Sequence, residues 1–244
     1  MHTGARVHAA LELARAGANA SDIARQLQIP RRTVAGWIKG DLPHSSRADS
    51  CDECEQAHEF ADLSANYVYL LGLYLGDGCI SKHPRDVFKL RIFLDAKYPG
   101  IIASACDAIV EVKGVPAGTL PRPQNCVEVY SFWRCWPCLS PQHGPGKKHE
   151  RRIALTDWQL QLVGRWPKQL LRGLIHSDGC RFQNTGTNWS WPRYSFSQVS
   201  DDIRTIFCET CDRLGLRWTR AKNTIYVSRK ADVAILDEFI GPKR

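Results

Sequence analysis

Apolar positions recur along this chain with two periods, and each change of period marks an element. Near the start, Ala10, Leu11 and Ala14 share one stripe of a helix over Arg6–Ala16, which Gly17 closes. Ser21 offers an N-cap for a second helix through Leu27. Ile29-Pro30 ends that helix and opens a third, Pro30–Lys39. Ile23, Ala24, Leu27, Val34, Trp37 and Ile38 supply the buried faces of the trio, and Arg31, Arg32, Thr33 and Lys39 are left to solvent. From Tyr67 the chain is almost continuously apolar, YVYLLGLYLGDGC, and then alternates. Lys89 to Asp95 sets Lys89 and Arg91 on one strand face and Leu90, Ile92 and Leu94 on the other. Helical spacing returns over Tyr98–Val112, and a strand follows at Cys126–Phe132.

The same sequence of patterns then runs again. QLLRGLIHSDGC repeats the apolar helix and its Asp-Gly-Cys ending, with Asp77 and Asp178 as matching carboxylates 101 positions apart. That interval suits a duplicated small domain. Strands are expected from Cys180, over Tyr194–Val199, over Arg217–Lys222 and over Thr224–Ser228, with helices from Ser200 to Leu214 and up to Ile240. The reading is an α+β fold: three N-terminal helices, then a duplicated α-β-β-α-β-β-α unit with antiparallel sheets covered by helices on one face. The expected segments are 1–40 for the helical domain, 41–65 for a linker holding a Cys-x-x-Cys, 66–132 and 166–244 for the two repeats, and 133–165 for a Pro- and Gly-broken connector.

Small residues four apart, Gly72 and Gly76 in one copy and Gly173 and Ser177 in the other, allow the two apolar helices to pack backbone against backbone. Their ends then bring Asp77 and Asp178 together, and Gly78 and Gly179 are expected in the left-handed conformation that turns each helix into a strand. Two adjacent carboxylates repel unless a cation lies between them, which makes them candidate ligands of Mg²⁺.

The net charge of +8 points to a polyanionic partner such as nucleic acid. Along the strands, Lys82, Lys89, Arg91, Arg181, Gln183, Asn184, Arg193, Ser195 and Gln198 are candidate contacts to bases or phosphates. No apolar run is long enough to span a membrane and no signal peptide opens the chain, so the expected compartment is cytoplasmic. The ten cysteines are then expected as reduced thiols or metal ligands. Cys51-x-x-Cys54 and Cys135-x-x-Cys138 each have half-site zinc spacing, giving a candidate structural Zn²⁺ on Cys51, Cys54, Cys138 and either Cys135 or His143. Cys208 and Cys211 are expected to face the core, and Cys79 and Cys180 to be small buried residues.

IARQLQIPRRTVAGWI resembles the helix-turn-helix of resolvases and transposases, whose third helix enters the major groove. LLGLYLGDG and LRGLIHSDG resemble the two signatures of the LAGLIDADG homing endonucleases, over roughly Tyr67 to Ile240. That resemblance implies a monomeric pseudo-dimer whose saddle-shaped sheets lie along duplex DNA. It also implies metal-binding acids at Asp77 and Asp178, and a nearby basic residue acting on the scissile phosphate. Lys222 is the first candidate for that base in the second half, with Lys89 or Lys97 as its counterpart. The implied activity is Mg²⁺-dependent, site-specific double-strand cleavage. The alternative is a sequence-specific regulator that uses the same fold without cutting.

Overall fold

We describe a computed structural model of the protein, which places residues 4–39, 63–241 and 243. The described chain divides into two compact units, one holding the N-terminal helices together with residues 82–88 and the other holding the remainder.

The first unit contains α1 (Gly4–Arg15), α2 (Ala20–Leu27) and α3 (Arg31–Ile38). Ala10, Ile23, Ile29, Val34 and Trp37 form its core. Two sequence expectations change here. Asn19, not Ser21, caps α2, its side-chain oxygen accepting from the backbone N–H groups of Ser21 (3.0 Å) and Asp22 (3.1 Å). Ile38, the last residue of α3, is 44% exposed and so lies off the face that buries Val34 and Trp37.

The second unit begins with α4 (Ala65–Asp77), capped by the Ser64 hydroxyl. Strands β1 (Gly78–His83) and β2 (Val87–Asp95) lead to α5 (Pro99–Lys113), β3 (Gly118–Arg122) and β4 (Cys126–Trp133). The connector is more ordered than its prolines suggest: it carries the short α6 (Trp136–Leu139) and α7 (Asp157–Arg165). The second half repeats the first with α8 (Pro167–Asp178), β5 (Gly179–Gly186), β6 (Trp189–Ser197), α9 (Asp201–Arg213), β7 (Trp218–Ala221), β8 (Thr224–Val227) and α10 (Lys230–Ile240). Each half has one four-stranded sheet, in the matching orders β1-β2-β4-β3 and β5-β6-β8-β7.

The two motif helices form the spine. Every residue of α4 from Tyr67 to Leu75 is buried. A helix apolar on all sides needs neighbours on all sides, and α4 packs against α8 as well as α5. The small residues are required at the crossing. A Cβ on Gly72 would lie 2.9 Å from the Cα of Gly173, and one on Gly173 would lie 2.9 Å from the Cα of Gly72. The connector docks back on this spine through buried amides. Gln159 donates to the Tyr67 hydroxyl (2.8 Å), which donates to the Leu139 carbonyl (2.7 Å).

Gly78 and Gly179 correct the sequence reading. Their backbones are extended, at φ −91° and −102°, so no left-handed turn is involved. Glycine is needed for space: a Cβ at Gly78 would meet the Tyr74 Cα at 2.5 Å, and one at Gly179 the Ile175 Cα at 2.6 Å. Each strand leaves its helix by folding straight back over the preceding turn.

Candidate active site

Because α4 and α8 cross at their glycines, their C-terminal ends arrive together. A side chain on Gly76 would strike Ser177 and come within 2.9 Å of Asp178 Oδ2. Both Asp77 and Asp178 are mostly withdrawn from solvent. Burial, the larger cause, pushes the Asp77 carboxyl up, against the pull of Lys148 and Lys243. Asp178 is pushed up to about 7, first by burial and then by the negative charge of Asp77. Gln198 donates to Asp178 Oδ2 at 2.6 Å, so this residue, expected against bases, positions a carboxylate instead.

A helix C-terminus disfavours an acid, since unpaired carbonyls already gather negative charge there. The structure answers with a cation at each end. Lys148 Nζ donates to the carbonyls of Tyr74, Leu75 (2.9 Å) and Gly76 (2.8 Å), and its ammonium lies 5.0 Å from the Tyr74 ring centre. Desolvation lowers its pKa to about 8, although both aspartates pull it upward. Lys243 donates to the Gly179 carbonyl, and burial likewise holds its pKa below the usual lysine range.

Asp77 looks onto two cavities. One, about 330 Å³, is lined by Asp77, Lys148, His149, Arg151, Gln198 and Cys79 among others. The other, about 290 Å³, is lined by Asp77, Lys97, Tyr98, His176, Cys180 and Lys243 among others. His176 is buried and anchored at both nitrogens: Nε2–H donates to the Ile240 carbonyl (3.1 Å), and Nδ1 accepts from the Tyr69 hydroxyl (2.9 Å). Burial drives its pKa down to about 4, which matches a neutral ring.

Of the expected basic residues, Lys97 lines the second cavity and the other two line neither. Lys222 sits at the exposed β7–β8 turn with φ +53° and lines neither cavity. Lys89 is bound to Glu128 at 2.7 Å, and Lys97 pairs with Asp95 at 2.9 Å. Lys148 and Lys243 went unrecognised because neither belongs to the repeated motif. The only trace in the sequence is that each sits in a basic cluster after Gly-Pro, GPGKKHERR and GPKR.

The remaining candidates divide by strand face. Leu90, Ile92 and Leu94 are buried on β2, which leaves Lys89 and Arg91 on the open face as expected. Glu128 shares that face yet is fully buried beneath Lys89 and Arg122. In the second sheet Tyr194 and Phe196 point to the core, so Arg193 and Ser195 lie on the open face, with Asn184 paired across from Trp191. Arg181 pairs with Tyr194 and therefore faces the helices. It grips Asp237 of α10 with two hydrogen bonds (2.7 and 2.8 Å), which corrects its expected place on the open face. Gln183 follows the same alternation as Arg181. Lys82 is paired with Asp86 at 2.6 Å. On α3, Arg31 and Arg32 are exposed, Thr33 is half-buried, and Lys39 is exposed just beyond the helix.

The cysteines also depart from expectation. Cys51 and Cys54 lie outside the described residues, and Cys135 and Cys138 are disulfide-bonded rather than reduced. A disulfide sulfur has no thiolate to offer a metal, so beyond His143 no zinc ligand set is assembled among the described residues. Cys211 is buried as expected, whereas Cys180 is exposed and Cys79 only half-buried.

The fold is that of the LAGLIDADG proteins. The homing endonuclease I-WcaI bound to its DNA recognition sequence aligns at TM-score 0.51 and 16% identity, over 74% of this chain and 83% of that one. The N-terminal LAGLIDADG domain of DUF199/WhiA aligns at 0.46 and 13%, over 76% and 90%. The meganuclease I-AabMI bound to uncleaved DNA aligns at 0.44 and 14%, over 73% and 85%. Residues 3–40 match the homeodomain-like domain family, so the N-terminal unit is a helix-turn-helix. No curated protein matches the sequence. No described helix is long and apolar enough to cross a membrane.

Proposed function

We propose that this chain is a site-specific double-strand DNA endonuclease working as a monomeric pseudo-dimer in the cytoplasm. Residues 66–132 and 166–244 would form its halves, 133–165 the connector, and 1–40 an added DNA-affinity module. The observation that carries the proposal is the meeting of Asp77 and Asp178 in a desolvated crevice with one lysine at each helix end. Two desolvated carboxylates, the charge of Asp77 pushing Asp178 further up, form a hard-oxygen set suited to Mg²⁺, so the residues fit that ion. Asp77 and Asp178 would hold it, and it would supply Lewis-acid activation of a phosphodiester.

The protein's own groups do the rest. Gln198 fixes one carboxylate oxygen of Asp178. Lys148 and Lys243 each present an ammonium to one cavity, where it can offset charge building on a phosphate. A Lys148 pKa near 8 also lets that group exchange a proton near neutrality. Arg91, Asn184, Arg193 and Ser195 lie on open sheet faces available to the duplex.

The homeodomain-like unit supports a second reading, a regulator that binds without cutting. Incubation with a duplex DNA library and Mg²⁺ separates the two. Wild type is expected to cut a discrete site, while Asp77→Asn and Asp178→Asn bind that site and leave it intact. Binding by all three proteins with no cut by wild type supports the regulator and ends the endonuclease reading.

A further inference from the structure

Strand β6 is longer than its neighbours on one side. It pairs with β5 from Trp189 to Phe196, but with β8 only from Tyr194 to Ser197. Residues 189–193 therefore form a two-stranded hairpin that runs past the end of the sheet. Pro192 lies in this stretch, where β6 pairs with β5 but no longer with β8.

The alternation that buries Tyr194 and Phe196 puts Trp189, Trp191 and Arg193 together on the open face. Trp189 is 46% exposed and Trp191 54%, and neither is covered by another element. Trp189 is set down across Gly186, where a Cβ would lie 2.8 Å from its Cζ2, so one indole face is supported and the other points outward. Asn184, Trp191, Pro192, Arg193 and Ser228 join Trp189 around an open concavity of about 380 Å³. Arg193 is held with its guanidinium 4.0 Å from the centre of the Tyr226 ring.

We propose that this hairpin reads thymine methyl groups in the major groove at one end of the DNA site, an inference that rests on the DNA-binding reading above. Two large apolar surfaces would be a liability in water, yet they sit beside an amide and a guanidinium on the open face of a basic chain. That mixture matches the edge of A·T pairs in the major groove. The thymine C5-methyl is the apolar feature there, and the adjacent adenine offers a donor and an acceptor suited to Asn184. The fixed positive charge of Arg193 suits the neighbouring phosphates. The first half lacks the device, since its corresponding turn passes through Pro84–Asp86 with Lys82 ion-paired to Asp86. The preference should therefore fall on one half-site.

The test is selection of a bound duplex from a random pool in EDTA, which removes cutting, followed by uracil interference on that duplex. In wild type, replacing thymine by uracil at a few positions confined to one end should weaken binding by about fourfold per methyl, the amount one buried methylene contributes. Trp189→Ser/Trp191→Ser should bind more weakly and lose that uracil sensitivity while keeping the contacts of the other end. Both indoles are exposed, and the wild-type interference pattern stands without any variant. An enriched duplex that tolerates uracil throughout, or a double variant with unchanged sensitivity, overturns this inference alone. Failure to enrich any duplex overturns the DNA reading together with it.

Discussion

The two motif helices each end on an aspartate followed by the same Gly-Cys strand start, and are finished by different neighbours. At α4 a single lysine from the connector, Lys148, takes three backbone carbonyls. At α8 the work is divided: Lys243 binds the Gly179 carbonyl, His176 ties the helix to the Ile240 carbonyl, and Gln198 holds Asp178. Duplication preserved what close helix packing demands, Gly72 against Gly173, because any side chain there collides with backbone. Groups that approach from outside the crossing are free of that constraint. They need only bring positive charge to a helix end that carries an acid, and the two halves do so by different routes.

If each lysine serves the cavity it lines, the comparison breaks cleanly by strand. Lys148→Ala and Lys243→Ala are each expected to slow cutting of one strand by on the order of 10²–10³-fold, the cost of removing one preorganised charge donor. A supercoiled plasmid carrying the site would then accumulate as nicked circle, with the nick on opposite strands for the two variants. Equal slowing of both strands by either substitution would show that the cavities act as one.

The crossing itself should be the least tolerant place in the unit. Gly173→Val places branched carbons against the backbone of Tyr69 and Leu73, where nothing can move aside. The expected loss is roughly 3 kcal/mol of unfolding free energy, the upper end for overpacking, read by urea denaturation. A loss under about 1 kcal/mol would mean that the helices can separate without cost.

His176→Phe should be milder. It keeps the ring volume but removes one partner of the Tyr69 hydroxyl and strands the Ile240 carbonyl, at roughly 1–3 kcal/mol. Because Ile240 lies three residues before Lys243, the same variant should impair the Lys243 cavity more than the Lys148 cavity. Unchanged strand preference would confine His176 to a packing role.

How far these features were legible in the sequence follows from the forces behind them. The spine was readable because its requirement is local: a continuous apolar run with small residues four apart occurs twice at a domain-sized interval. Strand faces were readable where one side is buried, as at Leu90, Ile92 and Leu94, and failed at Arg181, where the helix side of the sheet holds a charge because Asp237 waits there. The lysines were not readable. Lys148 reaches the carbonyls of Tyr74 to Gly76 across more than seventy positions, and only the folded path of the connector brings it there. The same holds for Gln198, which a strand pattern alone assigns to the open face but which turns to Asp178 just past the end of β6.

The smallest predicted effect distinguishes the two ends by pH. Asp178 is raised to about 7, so the stability linked to it is fully present below the ordinary carboxylate range near pH 4 and drains away as pH climbs through about 7. His176 is depressed to about 4, so its contribution runs the other way: it is present above about 6.5, the ordinary value, and is lost as pH falls toward 4. Between pH 4 and 6.5 the two slopes oppose each other. Lys148, depressed to about 8, is half deprotonated at pH 8, and its slope there opposes that of Asp178. From about 6.5 to 7.5 the aspartate end therefore dominates, and the melting temperature in EDTA should decline across that interval. Asp178→Asn should flatten that decline, and Mg²⁺ should flatten it in wild type, because an ion between the carboxylates competes with the proton that Asp178 otherwise keeps. A melting temperature that holds level from pH 6.5 to 7.5 in wild type would mean that the two carboxylates are already compensated by Lys148 and Lys243 alone, and that the crevice has no need of an ion.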